Sequence, residues 1–167
     1  MEKHKTLLEL ALHRYDEVNK RNDIIDSKSK SMIAFIGVML TIEFTAMPNI
    51  LNTINKTPLN GKRALLLLGI ASTCCYLIAI LYFISAVNPI KKFKESPKMD
   101  ELVSSGKNDE LDEIAAKNIM SLKECVEKNN KTIECKAQKS KNGFDFLKYG
   151  VFLTVTFIIL FILLKWR

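Results

Sequence analysis

Two histidines, four cysteines and one acid carried inside an apolar run are the residues of this 167-residue chain whose types could do chemistry. His4 and His13 lie on a polar segment without the spacing that brings two imidazoles to one metal, so both read as solvated. Cys74 and Cys75 are adjacent within an apolar block. Cys125 and Cys135 form no C-x-x-C and have no histidine nearby, so reduced thiols are expected and a metal site is not. Asp109 and Glu110 are better placed as helix-start charges than as a general acid and base. With no glycine-rich phosphate loop and no nucleophile elbow, neither an enzyme nor a cofactor is expected. The acid in the apolar run is Glu43, and its meaning depends on the elements around it.

Those elements are set by hydropathy. Apolar residues gather in three blocks, 31–47, 64–87 and 149–164, while the basic residues lie outside them or at their rims. The middle block, ALLLLGIASTCCYLIAILYFISAV, carries no charge and would be about 36 Å long as a helix, against a hydrocarbon layer of about 30 Å. The third block is shorter and becomes long enough if Phe144, Phe146 and Leu147 enter with it while Lys148 snorkels. The first is borderline in length and contains Glu43. Three transmembrane helices are therefore expected, and the lipid bilayer is the first expected partner.

The first 30 residues show no short apolar region before a small-residue cleavage site, so the first span is expected to serve as its own insertion signal. Arg14, Lys20, Arg21, Lys28 and Lys30 precede it. Lys91, Lys92, Lys94 and Lys98 follow the second span, and Lys136, Lys139, Lys141 and Lys148 precede the third. The connection between spans one and two holds only Lys56, Lys62 and Arg63, and the tail only Lys165 and Arg167. The basic bias predicts a plasma-membrane protein with its N-terminus and long connection cytoplasmic and its C-terminus external. The net charge of +7 is accounted for by this bias and by attraction to anionic lipid, and no nucleic-acid recognition motif accompanies it.

Outside the spans, Leu8, Leu12, Tyr15, Val18 and Ile25 recur at helical spacing, with Asn22 as a polar interruption, so residues 1–30 should form a cytoplasmic helix continuing into span one (31–47). Pro48 should end it, and 48–63 should be an irregular external loop. After span two, 88–148 should be a cytoplasmic connection with a short turn at Asp100 to Val103 and a helix over about 109–141. That helix carries a heptad stripe of Leu111, Ala115, Asn118, Leu122, Cys125, Asn129 and Ile133. The expected fold class is all-α: a single membrane domain over 1–167 with three transmembrane helices and a cytoplasmic antiparallel helical stalk. Asn118 and Asn129 either fix the register of that stalk or sit half exposed on a shallow stripe.

Within the spans, Glu43 has two readings. It is a pore or outer-mouth carboxylate that would favour cations in an oligomer, or it snorkels to the outer interface one turn before Pro48. In span two, Gly69 and Thr73 form a small-x-x-x-small pair suited to helix packing.

A helix ending in Ile25-Asp26-Ser27-Lys28-Ser29 runs straight into a span, and a later span closes with Asn88-Pro89-Ile90. A late helix carries Asn129-Asn130, Lys136-Ala137 and Lys141 before the last span. Over nearly the whole chain this resembles the membrane domain of Pycsar-type transmembrane effectors and the related SLATT membrane proteins of bacterial and archaeal defence loci. Ser29 stands where that pattern usually has Ala, and no separate sensor domain accompanies the spans. The resemblance implies an antiviral effector that assembles as a homo-oligomer or opens to permeabilise the membrane, answering a cytoplasmic protein or nucleotide signal. Asp26 and Lys28 at the inner boundary would pair with Lys136 and Asn129 as a latch. The alternatives are a non-conducting scaffold that docks a soluble partner, and a constitutive ion channel subunit.

Overall fold

The computed structural model describes residues 2–56, 59–88 and 111–165, and all three of its elements are helices: α1 (Glu2–Lys56), α2 (Leu59–Val87) and α3 (Leu111–Lys165). Each contains a stretch long and apolar enough to cross a membrane, within Thr6–Pro48, Gly61–Val87 and Ala116–Leu164. The chain is an all-helical, multi-pass type of sequence, as its hydropathy predicts. The expected turn at Asp100 to Val103 and the expected helix start at Asn108 or Asp109 lie outside the described residues.

Pro48 does not end α1, which continues to Lys56. Proline lacks an amide proton and so leaves the Phe44 carbonyl without its helical donor, a cost of about 3 kcal/mol in water. In an apolar layer an unwound segment would forfeit several further bonds with no water to replace them, so the helix is kept. The expected external loop at 48–63 is consequently helical up to Lys56 and again from Leu59. α2 ends where expected, at Val87, with one further turn bond from the Asn88 amide to the Ile84 carbonyl at 2.9 Å. α3 passes through Gly143 and Gly150 without a break.

The chain divides into two compact units. Unit 1 comprises Met1–Asp26 and Pro89–Ala137, and its described parts are the start of α1 and the start of α3. Val18, Leu122, Cys125, Asn129 and Ile133 are its buried seam. Leu7, Leu10, Ala11 and Arg14 of α1 line one cleft with Ile119, Lys123, Val126 and Asn130 of α3, and further along both helices Asp26 meets Lys136. Residue numbers rise together on the two helices, so the pairing is parallel. This corrects the expected antiparallel stalk: two helices that each lead into an apolar segment from the same side must run in the same direction.

Unit 2 comprises Ser27–Asn88 and Gln138–Arg167. Here Ser29 pairs with Ser140 and Glu43 with Thr154, two contacts with the same separation of 111 residues, so α1 and α3 are again parallel. α2 runs against them: Phe83 lies at Gly143, Tyr76 at Gly150 and Phe157 at Gly69. The core is Ile36, Tyr76, Ala79, Phe83 and Leu147. Phe83 meets Phe144 edge-on at 5.3 Å, and Tyr82 stacks on Phe146 at 5.6 Å. Lys139 donates to the Ser85 carbonyl at 3.3 Å, placing a cation on the last turn of α2 where the dipole favours one.

Unit 2 distributes polarity as a bilayer demands. Its outward side chains include Val38, Ile42, Phe44, Leu67, Ile70, Leu81, Phe152 and Leu163, whereas Ser29, Ser72, Ser140 and Thr154 are buried. In lipid the apolar exterior costs nothing, and association rests on close packing and internal hydrogen bonds. Packing is closest on α3. A Cβ at Gly150 would lie 2.7 Å from the Tyr76 ring, and one at Gly143 would lie 3.1 Å from the Phe83 ring. At Gly69 it would meet Phe157 at an ordinary 3.7 Å, so the pair expected to serve packing, Gly69 and Thr73, is not where the helices approach most tightly.

Gly150→Ala should destabilise the chain by about 1–3 kcal/mol, because a buried, fully packed tyrosine ring must move. Gly37→Ala, where nothing lies within 4 Å, should be neutral or stabilising by up to about 1 kcal/mol through helix propensity. Unfolding of both variants in detergent tests this, and equal effects would contradict the packing described.

Candidate functional site

Among the described residues, each unit contains a polar constellation assembled across helices. In unit 1 it centres on Lys136, whose side chain is only 4% exposed. The ammonium donates to Asn22 Oδ1 at 2.6 Å and to Asp26 Oδ1 and Oδ2 at 2.8 and 3.0 Å. Asn22 and Asp26 stand one turn apart on α1, so a single turn supplies acceptors for all three ammonium protons. A buried cation without such partners would cost several kcal/mol, and this arrangement removes that cost while fixing which turn of α1 faces which turn of α3.

In unit 2 the constellation centres on Glu43. Thr154 Oγ1 donates to Oε1 at 2.8 Å, and Tyr76 OH lies 3.0 Å from the same threonine oxygen. Ser72 Oγ stands 3.5 Å from Oε1, and Thr73 Oγ1 stands 3.4 Å from Oε2. Both of these hydroxyls also donate to the Gly69 carbonyl at 3.0 Å. Glu43 is thus held from two other helices, with Thr154 on α3 and Ser72, Thr73 and Tyr76 on α2. Beside it lies a cavity of about 230 Å³ whose other walls are almost entirely apolar.

Of the residues proposed from sequence, Asp26 and Lys136 come together directly. Asn129 is buried on the α3 seam at 1% exposure, and Asn118 is half-buried. Lys28 is exposed and takes no part in the Lys136 constellation. Glu43 is half-buried, and its carboxylate is in contact with side chains of α2 and α3. Thr73 is one of those contacts, and Gly69 contributes its carbonyl to the same network.

The residues missed were Asn22, Ser72, Tyr76 and Thr154, and a signal for them existed. Continued from Val18 at alternating steps of four and three, the α1 stripe reaches Asn22, Ile25, Ser29, Met32, Ile36, Met39 and Glu43. The α3 stripe continues from Ile133 through Lys136, Ser140, Gly143, Leu147, Gly150 and Thr154 in the same way, and in α2 Leu65, Ser72, Tyr76, Ala79, Phe83 and Ala86 share one face. Heptad spacing carried through the apolar blocks points at the buried polar residues, whereas hydropathy alone hides them.

Comparison of the chain with protein-family models, with curated proteins and with solved structures finds no match.

Lys136→Met should destabilise unit 1 by about 2–4 kcal/mol, since it leaves the Asp26 carboxylate facing an apolar group. Adding Asp26→Leu should recover much of that loss. The two single variants and the double variant, unfolded under one condition, should show a coupling of about 1–3 kcal/mol. Additive effects would mean that the pair carries no interaction energy.

Proposed function

We propose that this chain is a membrane effector of the kind represented by Pycsar-type transmembrane effectors and SLATT proteins, permeabilising the membrane in response to a cytoplasmic signal. The reading rests on the Lys136–Asp26–Asn22 constellation. It adds a charged contact to the apolar seam between two helices, and an ion pair is a contact that a competing charged ligand can open. An apolar core contact has no such vulnerability. Three spans from one chain enclose no conventional pore, so the permeabilising state is a homo-oligomer. The basic residues that flank the spans put the N-terminus and the long connection in the cytoplasm, where such a signal arises, and the C-terminus outside.

One observation favours a second reading, a non-conducting scaffold. Leu7, Leu10 and Met120 are exposed in unit 1, and a cleft of about 350 Å³ lies between α1 and α3 near the first two. An exposed apolar strip of this kind suits a docked helix of another protein.

Induced expression with a potential-sensitive dye separates the readings. Under the effector reading the chain depolarises the cell, and Asp26→Ala changes the extent of leakage by at least severalfold because the helix pairing is loosened. Unchanged expression, oligomeric state and leakage in Asp26→Ala would remove the latch. Association with a soluble partner without depolarisation would favour the scaffold.

A further inference from the structure

The Glu43 network in unit 2 has more acceptors than donors. Ser72 and Thr73 each own one hydroxyl proton, and each has a shorter contact with the Gly69 carbonyl, 3.0 Å, than with Glu43, 3.5 and 3.4 Å respectively. Tyr76 supplies its proton to Thr154, which supplies its own to Oε1. All four hydroxyl protons are then committed, and only one of them reaches the carboxylate at a normal distance. A carboxylate offers about four lone-pair sites. Oε2 keeps only a long contact, and a lipid layer around these helices would supply no solvent to make up the difference.

A group that completes this site must donate protons or carry positive charge. Only one carboxylate is present among the described residues lining the adjoining cavity, and a single positive charge balances it. The cavity determines the rest of the ligand. The lining oxygens of Glu43, Ser72, Thr73 and Thr154 are grouped together, which does not surround a hard metal ion with the oxygen ligands it needs, and Ile42, Leu66, Ile70, Phe157 and Ile158 are among the remaining walls. These walls suit a hydrocarbon chain. Among the described residues no Lys or Arg lines the cavity, and those that line it offer nothing to a lipid phosphate.

We propose that unit 2 carries a binding site for an organic monocation of the primary alkylammonium class. The ammonium donates to Glu43 Oε2 and to neighbouring hydroxyl oxygens, and the alkyl chain occupies the cavity between α1, α2 and α3. This goes beyond the effector reading and does not depend on it, since a scaffold or an effector could equally hold such a ligand.

Hexylammonium chloride is a suitable probe, with 1-hexanol as its uncharged counterpart and sodium chloride as its inorganic one. Added to the full chain in detergent, hexylammonium should raise the unfolding temperature saturably, at a half-saturating concentration at least tenfold below that of 1-hexanol. Sodium chloride at the same concentration should give no such shift. Glu43→Gln should raise the half-saturating concentration at least tenfold. Ala46→Leu keeps the carboxylate but fills the cavity from its wall, and should do the same, which preserves the test if Glu43→Gln does not fold. Equal stabilisation by 1-hexanol or by sodium chloride, or undiminished binding in Ala46→Leu, would overturn the proposal.

Discussion

A carboxylate set among apolar helix faces is best satisfied by partners within the protein, and in this chain that constraint falls on Glu43. Its short hydrogen bond comes from Thr154 on α3 and its longer contacts from Ser72 and Thr73 on α2. Those donors can reach it only if α1 and α3 run parallel in unit 2 with α2 antiparallel between the polar positions. The same alignment sets Ser29 against Ser140 at an identical separation along the chain. Apolar side chains alone would tolerate slippage, because one aliphatic residue fills a gap about as well as its neighbour. A carboxylate and a hydroxyl do not tolerate it, so the polar contacts define the register and the apolar ones fill it.

Glycine completes the arrangement from the other direction. Tyr76 must lie against α3 for its hydroxyl to reach Thr154, and the ring occupies the space that a side chain at Gly150 would need. One turn of α3 therefore combines a missing side chain with the polar group that the tyrosine seeks. Phe83 at Gly143 repeats the close approach without the hydrogen bond. In a layer where burial of apolar area contributes little, contacts of this closeness carry a large share of the association.

Unit 1 uses a related device, with Asp26 partly exposed at 22%. Lys136 is almost fully buried; Asp26 neutralises it, and Asn22 on the same α1 turn accepts a further hydrogen bond. An apolar pair of equal volume would give similar or greater stability, so what the ion pair contributes is a preference for one register and a sensitivity to competing charge. Both constellations draw on residues of the heptad seam itself. Asn22 interrupts the apolar stripe of α1, and Lys136 interrupts that of α3.

The sequence by itself determined the class of protein. Three uncharged or nearly uncharged blocks, the middle one long enough by itself to span a bilayer and the others close to it, leave few folds open other than packed helices, because hydrocarbon cannot satisfy a free backbone. It also determined the seams, since heptad spacing is local and needs no partner to be legible. Only the tertiary structure decided the parallel pairing of α1 with α3, the persistence of helix through Pro48, and the direction in which Glu43 points. Each of these depends on comparing energies between distant parts of the chain. A proline breaks a helix or does not according to what would solvate the opened turn, and a carboxylate turns inward when hydroxyls from two other helices stand ready there. No local window of residues contains that comparison.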